Sequence, residues 1–124
     1  MLTDEELTRY SRQIVLPQLG GPGQQRLKAA RIAVVGAGGI GAAVIPALAG
    51  AGVGQLTIID ADLAELSNLH RQPIYRSRDA GEPKAALAAQ FVRRLNPFVE
   101  VRPIERRIEP GNADSLLAEH DLVI

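Results

Sequence analysis

The 124-residue chain contains no cysteine and no tryptophan, and only two tyrosines and two phenylalanines. Without cysteine, a disulfide scaffold, a CxxC zinc site and a cysteine nucleophile are all excluded within these residues. Scarce aromatics argue against a platform on which nucleic-acid bases stack. Net charge is also missing: fourteen basic residues balance fourteen acidic ones. No global field draws the protein to nucleic acid or to a membrane, so any basic chemistry must be local. No apolar run reaches the roughly twenty residues that span a bilayer, and the polar start MLTDEEL has no signal-like apolar region behind it. A soluble, cytoplasmic protein is expected. The two histidines, His70 and His120, stand apart from each other, and neither predicts a metal site.

What is present is one domain's worth of chain, able to bury roughly two thirds of its unfolded surface. The central stretch, residues 31–62, reads RIAVVGAGGIGAAVIPALAGAGVGQLTIIDAD. An apolar, β-branched run over 31–35 suits a parallel strand buried on both faces. A glycine turn leads into a small-residue helix from about Ile40 to Ala51, with Pro46 a candidate kink and Gly52 and Gly54 a stop. Residues 55–59 form the next strand, with Asp60 at its carboxyl end. The expected fold is α/β: a Rossmann-like, mostly parallel sheet over 31–124, flanked by helices and preceded by a helical arm over 1–30.

In that arm, Thr3 and Glu6 form a capping box with Leu2 and Leu7 as its staple, predicting a helix over 2–14 whose apolar stripe is Leu7, Tyr10 and Ile14. Residues 17–24, PQLGGPGQ, read as turn, making the arm an appendage. After the central unit, residues 63–82 lack periodicity and sit where an α/β domain puts a binding loop. Pro83 opens a helix striped by Leu87, Phe91 and Leu95, and Asn96-Pro97 ends it. Val99 and Val101 mark a third, more exposed strand. Asn112 is placed to cap a short helix through about Glu119, and residues 121–124 begin a fourth strand, in which the chain stops. A longer parent protein is expected.

Gly36, Gly38 and Gly41 satisfy G-x-G-x-x-G between strand and helix, and Asp60 follows nineteen residues after the last glycine. Such a turn brings backbone amides to phosphate oxygens at the positive end of a helix, and the carboxylate accepts from ribose hydroxyls. This pattern alone fits a dinucleotide oxidoreductase as well as an ATP enzyme. The loop beyond it carries Asn68, Arg71 and Gln72, and then Lys84. Polar amides and two cations suit a triphosphate better than a nicotinamide, although Arg71 and Lys84 also read as ordinary surface charges.

Taken in order, RYSRQ (9–13), GAGGIG (36–41), DAD (60–62), SNLHRQ (67–72) and GEPKA (81–85) resemble the ThiF/MoeB/HesA family, bacterial relatives of ubiquitin-activating E1 enzymes. The resemblance covers about Leu2 to the last residue and identifies the chain as an N-terminal portion. It implies an ATP-binding fold that adenylates the C-terminal glycine of a ubiquitin-like sulfur carrier of the ThiS or MoaD type, in thiamine or molybdopterin biosynthesis or related sulfur transfer. It places Gly39 against the phosphates, Asp60 on the ribose with Asp62 in the same motif, and Asn68, Arg71 and Lys84 around the phosphates. It also implies that Arg12 reaches into a partner's site, making the enzyme a homodimer. Mg²⁺ would bridge the phosphates, and the aspartate, zinc-binding CxxC pairs and occasional reactive cysteine of such enzymes lie outside these residues. An NAD-dependent oxidoreductase and a non-catalytic dimerisation or docking fragment are the alternatives.

Overall fold

The computed structural model describes all residues 1–124. Two short helices, α1 (Asp4–Arg9) and α2 (Ser11–Ile14), precede α3 (Gly20–Ala29). The βαβ unit follows as β1 (Arg31–Val35), α4 (Gly39–Ala51) and β2 (Gln55–Ile59). A long loop with two 3₁₀ turns leads to α5 (Lys84–Leu95), β3 (Glu100–Ile104), α6 (Ala113–Leu117) and β4 (Leu122–Val123). All four strands are parallel, in the order β3-β2-β1-β4.

This order creates the crevice on which the site depends. The chain moves outward from β1 through β2 to β3, then crosses back to place β4 on the other side of β1. The strand order reverses at β1, and open α/β sheets bind ligands outside the carboxyl ends of strands at such a point. Ile32, Val34, Leu56 and Ile58 point from β1 and β2 into the core shared with α4 and α5. Each such buried aliphatic contributes about 1.5–3 kcal/mol. β3 is the more exposed edge strand expected, and Pro103 is tolerated there because one side of an edge strand needs no ladder bonds.

Several expectations are corrected by long-range contacts. The predicted helix over 2–14 is two helices, broken at Tyr10, where φ is −99° and ψ is 10°. That bend lets the buried Tyr10 hydroxyl accept from Asn96 Nδ2 at 2.7 Å. The capping box is present, but Leu7 is exposed and Glu6 takes the buried position, paired with Lys28 at 2.8 Å. The supposed turn over 17–24 is helical from Gly20 onward. Pro22 falls in the first turn of α3, where its missing N–H costs nothing. Gln24 is fully buried and donates to the carbonyl of Ala51 at 2.9 Å. The arm is therefore fastened to the C-terminal ends of α4 and α5 rather than appended.

Helix α4 continues through Pro46. On α5 the core face is Ala85, Ala88, Ala89 and Val92, which lets α5 lie close to α4 and the sheet. Leu87 and Phe91 flank that face and Leu95 is exposed. Asn112 does not cap α6 with its side chain; its Oδ1 accepts from the Glu109 amide and its Nδ2 donates to the Arg107 carbonyl, closing the preceding turn.

Burial alone would raise the pKa of Glu6, but the Lys28 ammonium and the Thr3 amide and hydroxyl hold the carboxyl below its ordinary 4.5. A carboxylate depressed in the folded state stabilises it above the unfolded pKa and loses that contribution as pH falls through the folded one. Glu6→Gln is expected to cost about 1–2 kcal/mol at pH 7. Thermal unfolding across a pH series should show this gap closing below about pH 4.5, the ordinary glutamate value.

Candidate nucleotide site at the strand carboxyl ends

The site begins where β1 must become α4 within three residues. Gly36 takes φ +94°, a conformation that L side chains rarely adopt. Gly41, in the first turn of α4, lies so close that a β-carbon on it would meet the Gly36 carbonyl oxygen at 1.9 Å. Between them, the buried Ala37 is held on both sides: its N–H donates to Asp60 Oδ2 at 2.7 Å, and its carbonyl accepts from the Tyr75 hydroxyl at 2.5 Å. None of the amides of Gly38, Gly39, Ile40 and Gly41 makes a hydrogen bond within the chain. Four free donors at a helix N-terminus form an anion-binding arrangement.

Loop 63–82 folds back over this turn. Its ends are joined by the Leu63–Pro83 bridge and by hydrogen bonds from Ala64 to Glu82 and from Gly81 to Ala64, each 2.8 Å. Arg71 Nη1 stands 3.2 Å from where a β-carbon on Gly39 would be, and Gln72 Nε2 stands 3.5 Å from the corresponding place on Gly38. Gln72 is only 1% exposed and its Oε1 has no partner. Asn68, half-buried, ends a 3₁₀ turn in the same loop, and its side chain makes no hydrogen bond in the chain. Lys84 opens α5 with its backbone N–H on the Asp62 carbonyl at 3.0 Å. Its side chain is buried, without an ion pair or hydrogen bond.

Asp60, at the end of β2, accepts from Ala37 and from the Asp62 amide at 2.7 Å, one bond to each oxygen. Each carboxylate oxygen keeps a further lone pair for a ligand hydroxyl. Asp60 and Asp62 line a cleft of about 150 Å³, whose floor is Val35, Gly36 and Ile59 and whose far wall is Arg106, Arg107 and Ile108. Arg107 faces Asp62 at 3.8 Å, with both side chains exposed.

The structure thus gathers Gly36, Gly38, Gly39, Gly41, Asp60, Arg71 and Gln72 around one turn, with Asp62 adjoining Asp60 and Lys84 adjoining Asp62. Arg12 is not among them. It sits on exposed α2 beside Gln13, which donates to Ala51 at the opposite end of α4. Thirteen residues of helix separate the two ends, roughly 20 Å at 1.5 Å per residue.

Tyr75, Arg106 and Arg107 are missing from the residues singled out in the sequence. The arginine pair follows β3 at the strand ends where ligand-binding side chains gather, a signal that was available. Tyr75 had none, because its importance lies in a contact with a residue 38 positions away. Burial and the negative charge of Asp60 push its hydroxyl well above the ordinary tyrosine range, so it remains a hydrogen-bond donor.

Free amides, an unpaired buried lysine, an arginine over the turn and a carboxylate lining a small cleft with both apolar and charged walls together suit a phosphorylated nucleoside. The ThiF family profile matches residues 10–124. The chain belongs to the ThiF family. Among ThiF-like relatives, it is 48% identical over 122 residues to a sulfur carrier protein adenylyltransferase of Thermus thermophilus, covering 98% of this chain and 45% of that protein. It is 44% identical over 123 residues to a molybdopterin-synthase adenylyltransferase of Salmonella typhimurium, covering 99% and 49%. The E. coli tRNA N6-threonylcarbamoyladenosine dehydratase TcdA, solved in complex with ATP, superposes with a TM-score of 0.93 at 29% identity, covering 99% of this chain and 50% of that one. The chain spans about half the length of these proteins.

Gly39→Ala should be accommodated, because the flexible end of Arg71 can retreat from the new methyl group. Gly41→Ala presses on backbone instead and is expected to cost about 3 kcal/mol. Chemical denaturation of both variants would check this order.

Proposed function

We propose that this protein uses ATP to adenylate the C-terminal glycine carboxylate of a ubiquitin-like sulfur carrier of the ThiS or MoaD type. The observation that carries the reading is a turn with four free amides beneath Arg71, which is in no ion pair, while the unpaired, buried Lys84 is tied through its backbone to Asp62, two residues from Asp60. Support also comes from the two adenylyltransferases to which the chain is 48% and 44% identical.

In this reading the triphosphate lies against the amides of Gly38, Gly39, Ile40 and Gly41, and Asp60 accepts from the ribose hydroxyls. The nucleoside occupies the cleft floored by Val35 and Ile59. Asn68 and Gln72 offer neutral donors along the phosphates, and Asp62 with Arg107 closes the outer rim.

The carrier's carboxylate oxygen attacks the α-phosphorus, the bond from α-phosphorus to the bridging oxygen breaks, and pyrophosphate leaves with that electron pair. The product is an acyl-adenylate. The enzyme supplies no covalent nucleophile, so its contribution is positioning and charge. Bringing a carboxylate to a triphosphate sets anion against anion. Arg71 and Lys84 offset that repulsion and stabilise the charge that accumulates on the departing pyrophosphate.

Mg²⁺ would supply further charge neutralisation when bound to the nucleotide. The chain offers no group of three or more histidine, aspartate or glutamate side chains able to hold it, and no cysteine for zinc. No step is assigned to either ion. Arg12, remote from its own chain's turn, fits a role in the site of a second copy, which makes the working enzyme a homodimer. No helix is long and apolar enough to cross a membrane, consistent with a cytoplasmic enzyme of thiamine, molybdopterin or related sulfur transfer.

Exchange of labelled pyrophosphate into ATP, in the presence of a sulfur carrier ending in glycine, tests the reading. Arg71→Ala and Lys84→Ala should each slow exchange by about 10²-fold or more. Absence of exchange with every such carrier, or wild-type rates in both variants, would overturn it.

A further inference from the structure

We propose that Tyr75 is a positioning residue for the nucleotide phosphates: by holding the Ala37 carbonyl from the protein side, it aims the Gly38 amide outward at the bound phosphate. The inference deepens the ATP reading and rests on it.

The argument starts from the peptide joining Ala37 to Gly38. A trans peptide is planar, with its C=O and N–H pointing in opposite directions, and the chain contains no cis bond. The Ala37 carbonyl is directed at the Tyr75 hydroxyl, 2.5 Å away on a residue only 4% exposed. The Gly38 N–H is therefore directed away from the interior, and it has no partner in the chain. The preceding peptide is fixed by a separate contact, since the Ala37 amide donates to Asp60. Consecutive peptide planes are thus set by two side chains, one from the end of β2 and one from the loop.

A carbonyl can only accept, so the Tyr75 bond requires the hydroxyl proton. Burial and the charge of Asp60 keep that proton in place. The same loop approaches Gly38 from its other side through Gln72, whose carbonyl accepts the Tyr75 amide at 3.2 Å. A backbone hydrogen bond thus joins Tyr75 to the Gln72 that also lies against Gly38. An amide already aimed at its anion spends no binding energy on reorientation. Without the hydroxyl, the Ala37 carbonyl loses its partner and this peptide is free to rotate.

A tyrosine that merely supported the fold would affect all nucleoside ligands alike. A phosphate-positioning tyrosine affects only those with phosphates. NMR titrations of the ¹⁵N-labelled 124-residue chain with ATP and with adenosine distinguish the two. In the wild type, ATP should shift the Gly38 amide resonance and adenosine should leave it in place. Tyr75→Phe, which retains the ring, should weaken ATP about tenfold while changing the adenosine Kd by less than twofold.

Unchanged ATP affinity in the variant, or equal weakening of both ligands, would overturn the proposal. If Tyr75→Phe does not fold, the wild-type Gly38 resonance decides alone, and a resonance that ignores ATP contradicts it. Wild type that binds neither ligand refutes the ATP reading itself, and this inference with it. That outcome is distinct from ATP binding that is indifferent to Tyr75.

Discussion

The close approach of α4 to the end of β1 is the constraint from which the rest follows. The Gly36 carbonyl occupies the space that a side chain on Gly41 would need. Only that contact, with Gly36 in a left-handed conformation, turns the chain from strand to helix in three residues. The consequence is electrostatic. The first amides of α4 are left without internal partners and open at the crevice where the strand order reverses, concentrating partial positive charge at the strand ends.

Helix α4 also joins two kinds of polar chemistry. At its N-terminus the backbone donors are unsatisfied and available to a ligand. At its C-terminus the carbonyls of Ala49 and Ala51 are used internally: Ala49 accepts from Asn96, and Ala51 accepts from both Gln13 and Gln24. A buried polar group left without a partner costs free energy, so the second set locks the arm in place. The arm's exposed face, including Arg12, is thereby given a fixed orientation about one helix length from the phosphate turn.

Legibility in the sequence tracks the distance over which each structural decision is made. β1, α4 and β2 fall within a residue of their expected limits, because β-branched runs and glycines fix them locally. Asp60 stands where its spacing from Gly41 placed it. Tyr10 breaks its helix to meet Asn96, 86 residues away, and no local pattern carries that information. On α5 the leucines looked like the core stripe, yet close helix packing placed alanines there. Glu6 was legible as a capping residue but not as a buried one, since its Lys28 partner comes from a different helix. Of the candidate site, the glycine turn with Asp60 at the end of β2 and Arg71 beside Gly39 was legible through its motifs, while Lys84 is placed beside Asp62. Tyr75 was not legible, because its role is defined by the peptide it holds.

The central claim is that the turn, the two cations and Asp60 form one cradle for ATP. A crystal structure of the chain with bound ATP is the most direct test. The account predicts phosphate oxygens within hydrogen-bonding distance of the α4 N-terminal amides, flanked by Arg71 and Lys84, with both ribose hydroxyls on Asp60. A nucleotide bound elsewhere, or bound here with Arg71 and Lys84 turned away from its phosphates, would contradict it.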